Sequence, residues 1–323
     1  MTMMRTSLAL FLTLACAAAG CGREVSVGIG TESEKPRVAL VLKTLNHPFF
    51  VDMRRGAQEA ADRLGIDLRV QAAEREIDVD KQMQIVENLL QTGIKVLAIT
   101  PSGSREIVSA LVKARDAKVP IVIVDTRLDA KAAADAGLPT ETFIGSDNYE
   151  GGKLAGEYVV KATGGKGRVG ILEGIPGHET GDSRLRGFRD AVKNAPGITI
   201  VASQPANWER DQGFNVFQNM LQAHPDIDTV FAASDLMALG AIEAIAAAGK
   251  TGKIRVVGFD ALDDAKKAIA AGTMEASVAQ FPYEMGKAAV ESAAKVLQGE
   301  KLPADIMVKL EMVTRENVRN AGM

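Results

Sequence analysis

From residue 37 the chain alternates two kinds of stretch. RVALVLK, IDLRVQAA, IKVLAIT and VPIVIVD are short runs rich in β-branched residues. Between them FFVDMRRGAQEAADRLG, closing on Gly65, VDKQMQIVENLLQTG, closing on Gly93, and SREIVSALVKARDAK repeat apolar positions every three or four residues. The first kind predicts strands and the second amphipathic helices. The alternation pauses at TFIGSDN and then resumes. A helix is predicted over 150–163, then RVGILEG, ITIVASQPA, TVFAASD and IRVVGFD as strands, with EASVAQ as the last short one. DSRLRGFRDAVKNA, ERDQGFNVFQNMLQAH, LMALGAIEAIAAAG and ALDDAKKAIAAG are the helices between and after them. Strands apolar nearly throughout belong to parallel sheets covered on both faces. The fold class is therefore α/β, with two doubly wound parallel-sheet lobes.

In such sheets the strand C-termini share one edge, and ligands bind in the crevice outside it. The residues that follow the strands are polar in both halves: Lys43 to His47, Thr100, Asp125 to Arg127, Gly177 to Arg184, Asn207 with Trp208, Ser234 with Asp235, Asp260, and Gln280. Capping of the next helix accounts for Ser102 and is an alternative for Asp235. It does not account for Trp208, the one tryptophan, or for Phe49 and Phe50 in a chain with 4% aromatic residues. Neighbouring positions on a helix point in different directions, so at least one of the two phenylalanines is expected to face the crevice. Aromatic faces beside carboxylates, a guanidinium and amides suit a sugar, whose C–H face stacks and whose hydroxyls both donate and accept.

Composition removes other classes. Hydrophobic residues make up 46% and charged residues 24% of 323, with a formal charge of -3, which gives no nucleic-acid surface. Three histidines, no H-E-x-x-H and no G-x-S-x-G leave catalysis and a metal site unsupported, and no cofactor is implied. GGKGRVG precedes a strand, where a phosphate-cradling loop would follow one. The first 21 residues carry Arg5, an apolar run and small residues ending at Cys21, the layout of a secretory signal with a lipobox-like end. Acylation of Cys21 would tether the protein to a membrane through the polar segment 22–36. Ordinary cleavage near Ala19 is the alternative. Both cysteines lie in this leader, so the exported chain would hold no disulfide.

TLNHPFF, FIGSDNYEGGKLAGEY, ASQPANWERDQGFNVFQNMLQAHPD, DLMALGAIEAI and VVGFDALDD closely resemble, in order, segments of the periplasmic ribose-binding family of ABC-importer sugar receptors. That family is related to the effector domains of lactose-repressor-type regulators. The resemblance runs from about residue 37 to about 315. It implies a type I periplasmic binding protein fold, with crossovers near Ser146-Asp147, Gln280-Phe281 and Lys309-Leu310. The first lobe would be 37–146 with 281–309, and the second 147–280 with 310–320. It implies that Phe49 and Phe50 sandwich the sugar ring from one lobe and Trp208 takes the aromatic position of the other. Asp125, Arg184, Asp260 and Gln280 would bond hydroxyls. Lys43, His47, Thr100, Thr126 and Ser234 depart from the ribose pattern. His47 is either a ligand contact or a cap. Lys43 either touches ligand or neutralises Asp125 or Glu179, and Arg127 is placed with the site beside Asp125.

The expectation is an exported, non-enzymatic, monomeric sugar receptor. It would close on a monosaccharide or polyol, with a sugar acid left open by Lys43, and deliver it to the permease of an ABC importer. Presentation to a chemoreceptor or sensor kinase is the alternative. A DNA-binding repressor would need a basic helix-turn-helix where this chain has its export signal.

Overall fold

The computed structural model describes residues 35–320. The leader, Cys21 and most of the segment read as a tether lie outside that range. Among the described residues no helix is long and apolar enough to cross a membrane.

The first series runs β1 (Arg37–Thr44), α1 (Pro48–Leu64), β2 (Asp67–Ala73), α2 (Val79–Leu90), β3 (Val96–Ile99), α3 (Val108–Asp116), β4 (Ile121–Val124), α4 (Ala130–Asp135) and β5 (Thr142–Gly145). The second runs α5 (Asn148–Ala162), β6 (Lys166–Glu173), α6 (Glu179–Val192), β7 (Gly197–Pro205), α7 (Arg210–Ala223), β8 (Thr229–Ala232), α8 (Asp235–Ala247), β9 (Arg255–Asp260), α9 (Asp263–Ala271) and β10 (Ala276–Ala279). The chain closes with α10 (Pro282–Leu297), β11 (Asp305–Met307) and β12 (Glu311–Thr314). EASVAQ is thus not the last strand, as its pattern had suggested.

Two six-stranded sheets result, ordered β11-β5-β4-β3-β1-β2 and β12-β10-β9-β8-β6-β7. Every pairing is parallel except β10 with β12. The central strands β3 (VLAI) and β4 (IVIV) are buried on both faces, as uniformly apolar runs require. The edge strands β2 and β7 are only half-buried and correspondingly more polar. α10 packs on α1, β3, β4 and β5, and so returns to the first sheet after β10 has closed the second.

In both sheets the strand order reverses beside the first strand of the series, between β1 and β3 and between β6 and β8. These are the positions where a crevice opens. Gln82 ties the first one together: its amide nitrogen Nε2 donates to the carbonyls of Leu42 (3.3 Å) and Thr100 (2.9 Å), and its Oε1 accepts the Ser102 N–H at 2.8 Å. Ser102 therefore sits in a turn and does not cap α3, which begins only at Val108.

α1 starts where its sequence says it should. Pro48 is preset for the first helical turn, His47 precedes it with Nδ1 accepting the Phe49 N–H at 3.1 Å, and Gly65 ends it in the left-handed conformation. In the second half α5 and α6 pack closely, and a Cβ at Gly152 would lie 1.9 Å from the Arg184 carbonyl oxygen. Gly152→Ala should force these helices apart and destabilise the protein by about 1–3 kcal/mol. Urea unfolding measures this, and a change within experimental error would show that α6 can yield without cost.

Candidate functional site

The polar strand ends of both sheets converge on one small cavity. The first series supplies Lys43, His47, Phe49, Phe50, Glu76 and Asp125, and the second Thr180, Arg184, Trp208, Ser234 and Asp260. Gln280, between β10 and α10, completes the lining. The two halves touch beside it. Thr126 and Thr180 hydroxyls lie 3.2 Å apart, the Glu179 N–H donates to Ser104 Oγ at 3.1 Å, and Arg75 faces Glu209 at 3.4 Å. The lining side chains are almost wholly buried, which describes a closed form.

Among the described residues six non-glycine positions have positive φ, and three of them line this cavity: Asp125 (63°), Trp208 (67°) and Asp260 (107°). Each such residue costs on the order of 1 kcal/mol and persists only where its surroundings hold it. Here the strained turns aim a carboxylate or an indole into the space between the sheets.

The aromatic floor is built by α1. Phe49 and Phe50 are both buried, with ring centroids 5.2 Å apart and planes at 83°. They present a face and an edge, not two parallel plates. Trp208 lies opposite, packed so tightly on Gly174 that a Cβ there would come within 2.0 Å of the indole. His178 meets the same indole edge-on at 6.2 Å.

Arg184 is the most constrained cation. Its Nε donates to Asn148 Oδ1 (2.9 Å), and Nη1 donates to the Ala233 carbonyl (2.7 Å) and faces Asp260 Oδ1 at 3.6 Å. Its guanidinium lies 3.7 Å from the centre of the Phe259 ring. Gln280 Nε2 donates to the same Asp260 oxygen at 2.9 Å. Burial pushes the Asp260 carboxyl above its ordinary range, and Arg184 pulls it back.

Lys43 lies 3.4 Å from Asp125 Oδ2 and 3.7 Å from Glu76 Oε2. Its second carboxylate is Glu76 and not Glu179, whose Oε1 accepts from the Ser183 hydroxyl. Glu76 is the lining residue the strand-end survey missed. It follows β2 in the charged run EREID, which reads as ordinary solvated loop, and burial lifts its pKa to about 7 against the pull of Lys43. His47 both caps α1 and lines the cavity. Burial holds its pKa below the ordinary value, so the ring is neutral near pH 7. With Nδ1 accepting, the proton is on Nε2, a donor.

Arg127 is not part of this arrangement. The turn at Asp125 sends it outward, where it lies over Phe143 at 3.7 Å and pairs with Asp305 at 2.8 Å. Of the other residues noted at strand ends, Thr100 Oγ1 points back to the Val41 carbonyl and Asn207 Nδ2 donates to Gln212.

Several buried polar atoms of the lining have no protein partner: Trp208 Nε1, Ser234 Oγ and Gln280 Oε1. Buried polar groups are ordinarily satisfied. Two donors and an acceptor left open around an aromatic-floored cavity fit a ligand covered in hydroxyls, each of which can donate and accept. No group of three or more metal-ligating side chains occurs among the described residues.

The periplasmic binding protein domain family matches residues 38–301. The ribose import binding protein of Salmonella typhimurium is 41% identical over 282 residues, covering 87% of this chain and 92% of that protein. The D-allose-binding periplasmic protein of Escherichia coli is 36% identical over 284 residues, covering 86% and 91%. Among solved structures, an ABC transporter periplasmic solute binding protein from Actinobacillus succinogenes with bound D-allose superposes with a TM-score of 0.83 at 40% identity, over 88% of this chain and 100% of that one.

Proposed function

This chain belongs to the periplasmic binding protein family, and from that premise we propose that it is the exported receptor of an ABC sugar importer and encloses one neutral monosaccharide. The observation that carries the reading is the cavity's mixture of aromatic floor, charged hydrogen-bonding groups and open polar atoms. The first lobe, 37–146 with 281–309, and the second, 147–280 with 310–320, would part about the three crossovers to admit the sugar and close to present both lobes to a permease.

The roles follow from the contacts. Phe49, Phe50 and Trp208 take the C–H faces of the ring. Arg184, Asp260 and Gln280 form one hydrogen-bonding group, and Lys43, Glu76 and Asp125 a second across the cavity. His47 Nε2 and Ser234 Oγ serve single hydroxyls. A sugar acid is disfavoured. Lys43 already lies between two carboxylates and Arg184 faces a third, so no cation of the lining is left to balance a ligand carboxylate. The relatives named for ribose and for D-allose support starting with those two sugars.

Isothermal titration against D-ribose, D-allose, other neutral aldoses, myo-inositol, ribonate and glucuronate tests the proposal. Tight binding of a neutral member is expected. Preference for an acid, or binding of none, would remove the reading. Trp208→Ala should weaken binding by about 1–3 kcal/mol through lost stacking area. The same titration checks it, and unchanged affinity would take Trp208 out of the site. Cys21 lies outside the described residues. We propose its acylation as the membrane anchor, which the mass of the N-terminal peptide from membranes decides.

A further inference from the structure

Asp235 is buried completely, yet it does not line the cavity. At the first position of α8 it would ordinarily serve as a helix-start residue, but its side chain turns away from that helix. Oδ2 accepts the Leu262 N–H at 2.7 Å, and Oδ1 accepts the Ser277 hydroxyl at 2.7 Å. Ser277 Oγ in turn accepts the Ala261 N–H at 3.0 Å. One carboxylate and one hydroxyl therefore grip two consecutive amides, directly after Asp260.

Those amides belong to the most strained turn of the site. Asp260 has φ 107° and Ala261 φ 50°, neither being glycine. Two side-chain-bearing residues in succession at positive φ need an external hold. The turn decides where the Asp260 carboxylate points: its Oδ1 meets Gln280 Nε2 at 2.9 Å and Arg184 Nη1 at 3.6 Å. α8 therefore reaches across to the end of β9 and fixes a cavity residue it does not touch through the cavity.

We infer that Asp235, acting through Ser277 and the 261–262 amides, is a positioning residue that aims Asp260 at the bound sugar. The inference rests on the receptor reading for its consequence in affinity and on geometry alone for its hold on the turn. Asp235→Ala removes both accepting oxygens, whereas Asp235→Asn would keep an oxygen on the Leu262 N–H and donate its amide to Ser277 Oγ, leaving both grips in place.

The test uses the exported chain and the neutral sugar that wild type binds most tightly in the panel above. Asp235→Ala should weaken binding by about tenfold, the equivalent of one lost buried hydrogen bond at the sugar. Ser277→Ala, a milder change, should weaken it by a few-fold. In an Asp260→Asn background either substitution should cost little more, because the group being aimed is already impaired. A merely structural role would instead lower the unfolding temperature and leave affinity unchanged, or give losses that add; either result overturns the inference. A crystal structure of the Asp235→Ala protein without sugar supplies the second arm. The 260–261 turn should relax and the Asp260–Gln280 hydrogen bond should open, and an unmoved turn overturns the proposal whatever the titrations show. If wild type binds no sugar of the panel, the receptor reading fails, and the crystal arm still decides whether Asp235 holds the turn.

Discussion

Arg184→Met should lower affinity for the bound sugar by at least about a hundredfold and destabilise the unliganded protein by about 3–5 kcal/mol. Methionine keeps much of the volume of the stem, and removes the charge and the guanidinium that lies over Phe259. The loss has two origins that can be separated. The guanidinium supplies hydrogen bonds to Asn148 and the Ala233 carbonyl, which fix α6 against α5 and β8. It is also the cation that faces Asp260 in a fully buried environment. Without it Asp260 keeps only the Gln280 amide. Burial already raises the Asp260 carboxyl, and removal of the opposing guanidinium raises it further.

The sign of the pH effect follows. A carboxyl whose folded pKa lies above its unfolded value costs stability progressively as the pH rises from the unfolded to the folded value and in full above it, and the cost disappears as the pH falls back through that window. The Arg184→Met penalty should therefore shrink toward acid pH in urea titrations. Affinity within about threefold of wild type, by calorimetry, would remove Arg184 from ligand binding. A penalty independent of pH would mean that the unpaired Asp260 is not its source.

The α/β class could be read from the chain because the central strands are nearly pure runs of β-branched residues. IVIV at β4 and VLAI at β3 have no other stable place than a sheet covered on both sides. The short elements are a different matter. β11 is three residues, DIM, defined by its pairing with β5, and nothing in its own pattern announces a strand. β12, of four residues, and α4, of six, are also brief. Within the site, the residues that could be found were those directly following a strand and chemically out of place there, such as Trp208 or the Phe49-Phe50 pair. Glu76 was missed because the chain after β2 runs through EREID, where an acidic residue looks like ordinary solvated loop. Only the fold brings it to Lys43. Arg127 fails in the opposite way. Proximity to Asp125 in sequence suggested the cavity, but positive φ at Asp125 turns the following residues and leaves Arg127 on Phe143. Asp235 looks like a helix cap for the same local reason, and its real partners lie 27 and 42 positions away.

Glu76→Gln should stabilise the unliganded protein at pH 8 by up to about 3 kcal/mol and have little effect near pH 4.5. The Glu76 carboxyl titrates near 4.5 when exposed and at about 7 in the fold, because burial outweighs the attraction of Lys43 3.7 Å away. Between those values the folded chain holds a proton that the unfolded chain has released. Stability from this residue therefore falls as the pH rises through the window, and the whole cost is present above 7. Glutamine removes it, and Lys43 keeps Asp125 at 3.4 Å as its counter-ion. The two cavity-side histidines act with the opposite sign. Burial lowers the pKa of both His47 and His178, with Lys43 adding to the effect, so below about 6.5 the unfolded chain takes up protons that the fold refuses. In wild type the two trends oppose each other, and the stability curve between pH 4.5 and 7 is flattened. In Glu76→Gln the histidine trend is opposed only by the buried carboxyls of Asp235 and Asp260, which burial also raises. Urea titrations from pH 4.5 to 8 should show the two proteins converging at the acid end and diverging steadily to about pH 7, with the variant losing stability more steeply below 6.5. Parallel curves would mean that Glu76 is ionised throughout. The cavity would then close on three charged carboxylates against two cations, an imbalance that favours a cationic sugar over a neutral one.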